Sequence, residues 1–72
     1  MSNFINDNVV IDFDIPSLLQ GLFDEAKVAD SKNNPEYSGI ADSIDVCCKG
    51  LVANGVLTQS QWDLICHKYP II

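Results

Sequence analysis

The chain contains no arginine, and only four lysines stand against ten aspartates and glutamates, for a net charge of −6 over 72 residues. Affinity for DNA or RNA rests on Lys and Arg neutralising phosphates, and base readout leans on bidentate arginine. With only Lys27, Lys32, Lys49 and Lys68 to offer, the chain is repelled by a phosphate backbone, so no direct nucleic-acid partner is expected. Anionic membrane surfaces are excluded on the same ground. Long apolar runs are missing too, and a bilayer span needs about 20 such residues. The opening stretch MSNFINDNVV lacks the basic and continuous apolar segments of a secretory signal. Cysteines number three, two of them adjacent, which is a poor framework for a disulfide scaffold; reduced thiols in a cytoplasm are expected. Internal repeats, low-complexity tracts and linkers are absent as well.

What is present is a chain able to fold. Hydrophobic residues make up 47% and charged residues 19%, away from the disordered class. At this length there is room for one domain spanning residues 1–72, with a core that buries only about 60% of the unfolded surface. Self-association would add buried area, so a homodimer is one expectation.

Residues 9–15 (VVIDFDI) alternate. Val9, Ile11, Phe13 and Ile15 fall on one side of a two-residue period, and Asp12 and Asp14 on the other. The pattern predicts a short β-strand or an extended arm within residues 1–15. A lone strand needs a partner strand or must pack along helices; the segment also reads as a lead-in to the first helix.

Three helices are predicted, over 16–30, 35–54 and 58–69, giving a mostly α, three-helix domain ending in a helical hairpin. The first begins at Pro16, with Asp14 as its cap, and carries Leu18, Leu19, Leu22, Phe23, Ala26 and Ala29 at three- and four-residue steps. The second is capped by Asn34 ahead of Pro35 and carries Tyr37, Ile40, Ala41, Ile44, Cys47, Cys48, Leu51 and Val52 inward, with Asp42, Asp45 and Lys49 on the solvent side. It stops at Asn54-Gly55, where glycine suits a left-handed Schellman ending. Thr58 and Gln61 form a capping box for the third, whose stripe is Trp62, Ile65, Cys66 and Tyr69, and Leu57 is placed to staple against Trp62. Ile71 and Ile72 are too apolar to lie in water and are expected to pack.

No constellation carries a recognisable chemistry. Cys47, Cys48, Cys66 and His67 lack the Cys-x₂₋₄-Cys spacing that lets two thiolates share an ion, and adjacent helical residues diverge by about 100°. The cysteines read as core hydrophobes, so no metal or cofactor is expected. A Cys/His nucleophile pair would need a third orienting group and a cleft that so short a chain has little room for; no catalytic residue is named and no enzyme activity is expected. The stretch 35–69 has the outline of a helix-turn-helix, a weaker alternative as a regulator, since Asp63 opposes phosphate and no arginine anchors the second helix.

Charge asymmetry is the most informative feature. Residues 1–30 hold Asp7, Asp12, Asp14, Asp24, Glu25 and Asp30 against Lys27, a net of −5; residues 31–72 hold Glu36, Asp42, Asp45 and Asp63 against three lysines, a net of −1. An acidic face either steers a basic partner or merely keeps a small protein soluble. On the first reading Asp12, Asp14, Asp24, Glu25 and Asp30, with Phe13 as an apolar anchor, form a partner-binding surface that imitates a nucleic-acid charge array. Phe4, Val28, Leu64, Ile71 and Ile72 are further anchors. The function expected is a non-catalytic module that binds and modulates or inhibits a protein with a basic surface, similar in kind to phage-type inhibitors and antirepressors. A self-assembling structural domain is the alternative.

Overall fold

The computed structural model describes residues 3–71 and places three helices in them, α1 (Ser17–Ser31), α2 (Tyr37–Ala53) and α3 (Gln59–Lys68). All three are predicted by the apolar spacing, with ends shifted by one or two residues.

Caps explain where they begin and end. The Asn34 side chain accepts the Glu36 N–H at 2.9 Å and the Asn34 carbonyl accepts from Tyr37, so Asn34 bonds the turn around Pro35 that leads into α2, while Glu36 holds the cap position itself and makes no side-chain cap bond. At the other end Gly55 takes a φ of +74°. There the Val56 N–H reaches the Leu51 carbonyl and the Gly55 N–H the Val52 carbonyl, the paired bonds of a Schellman motif. Thr58 then opens α3: its hydroxyl accepts from the Gln61 N–H at 3.1 Å while the Gln61 side chain accepts from the Thr58 N–H at 3.0 Å. For α1 the expectation fails in detail. Pro16 sits at the cap position, with extended backbone and no side-chain cap bond, so Asp14 does not cap the helix; the Pro16 carbonyl alone receives Leu19 and Gln20.

The central element is α2. Both α1 and α3 pack on it, and among the described residues they do not pack on each other. Leu19, Phe23, Ala26 and Ala29 from α1 meet Tyr37, Ala41, Ile44 and Cys48 from α2, and Ile65 closes the core from α3. The small side chains Ala26, Ala29 and Ala41 are buried on the facing helices. Beyond α3, the Tyr69 ring stacks on Phe23, centroids 4.4 Å apart, which ties the end of α3 back to α1.

The predicted N-terminal strand does not form: no strand occurs among the described residues. The physical reason is the lack of a second strand to hydrogen-bond with. The arm instead lies against the helices, with Val9, Ile11, Phe13 and Ile15 partly buried and Val10, Asp12 and Asp14 exposed. The two-residue alternation is therefore real without a sheet. Lys68 holds the arm: its backbone carbonyl accepts the Asn6 N–H at 2.9 Å and its ammonium donates to the Val9 carbonyl at 2.7 Å. The tail departs from expectation, since Ile71 is 52% exposed, and Ile72 lies outside the described residues. No helix among the described residues is long and apolar enough to cross a membrane.

Candidate functional site

An open groove runs along the α1/α2 seam. It encloses about 710 Å³ between Leu18, Gly21, Leu22 and Glu25 of α1 and Asp42, Ser43, Val46 and Cys47 of α2. The helices run antiparallel here, because a second hollow of 330 Å³ continues the seam from Glu25 through Val28 and Lys32 to Glu36 and Ile40. Glu25 lines both. The groove is apolar at its base and rim: Leu18 is 66% exposed, Val46 62% and Val28 55%. Carboxylates border it, with Asp24, Glu25, Glu36 and Asp42 against Lys32.

Geometry on α1 explains why these residues meet. Successive helical residues turn by about 100°, so Leu18, Gly21, Leu22, Glu25, Val28 and Lys32 share one strip, and Leu19, Phe23, Ala26 and Asp30 another. The second strip enters the core. The first is left beside the seam, because α3 packs on α2 elsewhere and nothing covers it among the described residues.

The partner-binding residues expected from sequence are divided among three places. Asp24 and Glu25 are exposed and line the seam. Asp12 and Asp14 are exposed on the arm, which packs along the Gln20, Phe23 and Lys27 side of α1, the far side from the groove. Phe13 is partly buried against the core, so it is not a free anchor. Asp30 is a correction: it is 3% exposed, and its carboxylate accepts the backbone N–H groups of Asn3, Phe4 and Ile5. The Asn3 side chain also donates to the Asp30 carbonyl at 2.6 Å. Asp30 faces inward because its position on α1 lies in the core strip. A buried carboxylate is tolerable only when its lone pairs are satisfied, and the start of the arm supplies the donors.

Asp45 is a second correction. Expected on the solvent side of the helical repeat, it is partly buried and accepts from the Trp62 indole at 3.0 Å and the Cys66 thiol at 3.3 Å. It joins α2 to α3. Trp62 seeks an acceptor whenever its N–H is withdrawn from water; that need, together with Asp45 beside the core stripe of α2, was the available signal.

The thiols are free: Cys48 lies in the core, Cys47 packs against it and Cys66 is half-buried. Burial, then the Asp45 hydrogen bond and charge, push Cys66 from 9.0 up to about 11. Burial first, then the neighbouring Cys66, Cys47 and Asp45, push Cys48 up to about 12. A thiol that titrates higher in the folded than in the unfolded chain stabilises the fold while protonated. Stability from these groups is whole below about pH 9 and declines from there towards pH 11 and 12. Melting temperatures from pH 7 to 11 should therefore hold level to about 9 and fall above it, and the fall should be shallower in Cys66→Ala. A flat profile to pH 11 contradicts the assignment. Among the described residues no group of three or more His, Cys, Asp or Glu is arranged to hold a metal ion.

A smaller apolar hollow of 270 Å³ is lined by Phe4, Pro35, Tyr37 and Ser38. Phe4 stacks on Tyr37 with centroids 4.9 Å apart. The Tyr37 hydroxyl is buried with no hydrogen-bond partner. Burial, then the Asp30 charge, raise its pKa to about 12. An unpaired buried hydroxyl costs about 1–3 kcal/mol, and phenylalanine keeps the ring stack. Tyr37→Phe should leave the melting temperature unchanged or raise it. A loss above about 1 kcal/mol would mean that the hydroxyl has a partner in solution.

Compared with known proteins, the chain matches no family model, no curated protein and no solved structure.

Proposed function

We propose that the chain is a non-catalytic binding module that engages a protein partner carrying a basic surface and modulates or inhibits that partner. The observation that carries this reading is the meeting of exposed apolar side chains and exposed carboxylates along one seam: Leu18, Val28 and Val46 beside Asp24, Glu25, Glu36 and Asp42. Contiguous apolar surface rimmed by polar groups marks interaction sites. Like-signed charge around it speeds encounter with an opposite charge and rejects partners of the same sign. The roles divide accordingly. Apolar residues supply desolvated contact, and the carboxylates, with Asp12 and Asp14 on the arm extending the field, supply steering.

The test is capture on the immobilised full chain at low and high salt, followed by assay of each captured protein's own activity with and without the chain. Partners should be basic, should elute as salt rises, and should change in activity when the chain is added. Changing Asp24, Glu25, Glu36 and Asp42 to Asn or Gln should weaken capture and flatten its salt dependence. Retention indifferent to both salt and these changes contradicts the reading.

A further inference from the structure

We infer that the α1/α2 seam receives a basic amphipathic helix of the partner, laid along the groove with its apolar face on Leu18, Leu22 and Val46 and its lysines or arginines beside Glu25, Asp42 and Glu36. This deepens the function proposed above and rests on it.

Shape is the first argument. The two hollows lie end to end along a pair of antiparallel helices, and α1 with 15 residues is about 22 Å long at 1.5 Å per residue. A strip of that length matches one helix of about four turns. Two helices with a groove between them are the surface on which helix-in-groove recognition works, through anchors spaced i, i+3 or i+4, and i+7. Leu18, Leu22 and Val28 on one wall, and Ile40 and Val46 on the other, provide apolar contact along that length. An extended peptide would instead seek an open sheet edge, and no strand exists among the described residues.

Charge is the second argument, and it selects the occupant. Among the described residues lining the two hollows, Asp24, Glu25, Glu36 and Asp42 stand against the one cation Lys32. A second copy of this chain, itself at −6, would bring carboxylates against carboxylates. An acidic helix or a nucleic-acid strand meets the same repulsion. A helix with an apolar stripe flanked by cations satisfies both the groove wall and its rim.

The probe is a synthetic 18-residue peptide of leucine and lysine, with leucines at i, i+3, i+4 and i+7 so that helix formation creates one apolar face. Two controls keep its composition or its pattern: a scrambled sequence with no apolar face, and a version with glutamate for lysine. Backbone amide shifts of the full chain are followed during titration. The patterned basic peptide should bind saturably and shift amides of residues 18–28 and 40–47. The scrambled peptide should bind at least about tenfold more weakly, since only the pattern presents aligned anchors. Leu18→Ala with Val46→Ala should weaken the patterned peptide by about tenfold, and both are exposed positions whose loss leaves the core intact. The glutamate peptide should not bind.

Shifts that fall on the Asp12–Asp14 arm, or equal binding by patterned and scrambled peptides, overturn the helix-in-groove assignment while leaving a basic partner in place. No binding by the patterned peptide also overturns it. Concentration-dependent shifts of the same groove amides in the free protein would identify a second copy as the occupant, again against the inference. Loss of salt-sensitive capture in the preceding experiment, by contrast, removes the wider function as well.

Discussion

Asp30→Ala should detach the start of the N-terminal arm and lower stability by about 3 kcal/mol, the upper range for a hydrogen-bonded charged group. The carboxylate is almost wholly buried and accepts the backbone N–H groups of Asn3, Phe4 and Ile5. Alanine removes the acceptor and leaves those donors facing a hollow or forces them out to water. Phe4 would lose its position over Tyr37, and Ile5 would leave the core. In a domain of this size about 4–8 °C of melting temperature accompany each kcal/mol, so a fall of roughly 12–24 °C is expected. Asp30→Asn keeps an oxygen at the same place without the charge and should cost less than half as much. Amide exchange at residues 3–5 should accelerate in both variants. Equal melting temperatures for Asp30→Ala and the unaltered chain would show that the arm is not held through this carboxylate. Asp30 lies on the core strip of α1, away from the seam, so an Asp30 variant that remains folded should keep its affinity for the patterned peptide.

A comparable loss is expected from Ile65→Ala. Ile65 is the single fully enclosed residue of α3, and its side chain closes the core against α2. Truncating a buried isoleucine to alanine costs about 2–5 kcal/mol, through lost burial and the cavity left behind. Little else holds α3 at that point: the Asp45 bonds to Trp62 and Cys66 are only partly buried, and Leu57 and Tyr69 anchor its two ends. A 72-residue domain holds a small total stability, so the variant should be partly unfolded at 37 °C. Denaturant titration followed by Trp62 fluorescence measures it. A cost under about 1 kcal/mol would mean that the α2/α3 contact rests on the Asp45 pair and the flanking turns instead. Ile65→Val, which removes one methylene, should cost about 0.5–1.5 kcal/mol and gives the graded control.

Both predictions come from residues that local pattern treats differently. Ile65 falls in a plain apolar stripe, and its burial is legible from the helical period. Asp30 carries the same charge as Asp24 and Glu25 in a stretch that reads as one acidic face. Charge density counts residues along the chain without knowing which way each one turns. The 100° step of the helix then separates Asp30 from Glu25 by more than a quarter-turn, enough to send one inward and the other to the seam.

Sequence by itself determined the three helices, because the signals are local: the Asn34 turn, the Gly55 ending, the Thr58/Gln61 box and the three- and four-residue apolar steps act within a few residues. It also determined that residues 9–15 would present alternating sides. Tertiary structure alone decided that this alternation makes no strand, since a strand needs a distant partner that the fold does not provide. It decided that Asp30 and Asp45 turn inward to satisfy N–H and S–H donors brought from 15 or more residues away in the chain. It also left Leu18 and Val46 uncovered, because which sides of α2 lie beneath α1 and α3 depends on how the helices cross. The groove is thus made of residues that look like core or like ordinary surface one at a time, and becomes a surface only where two helices set them side by side.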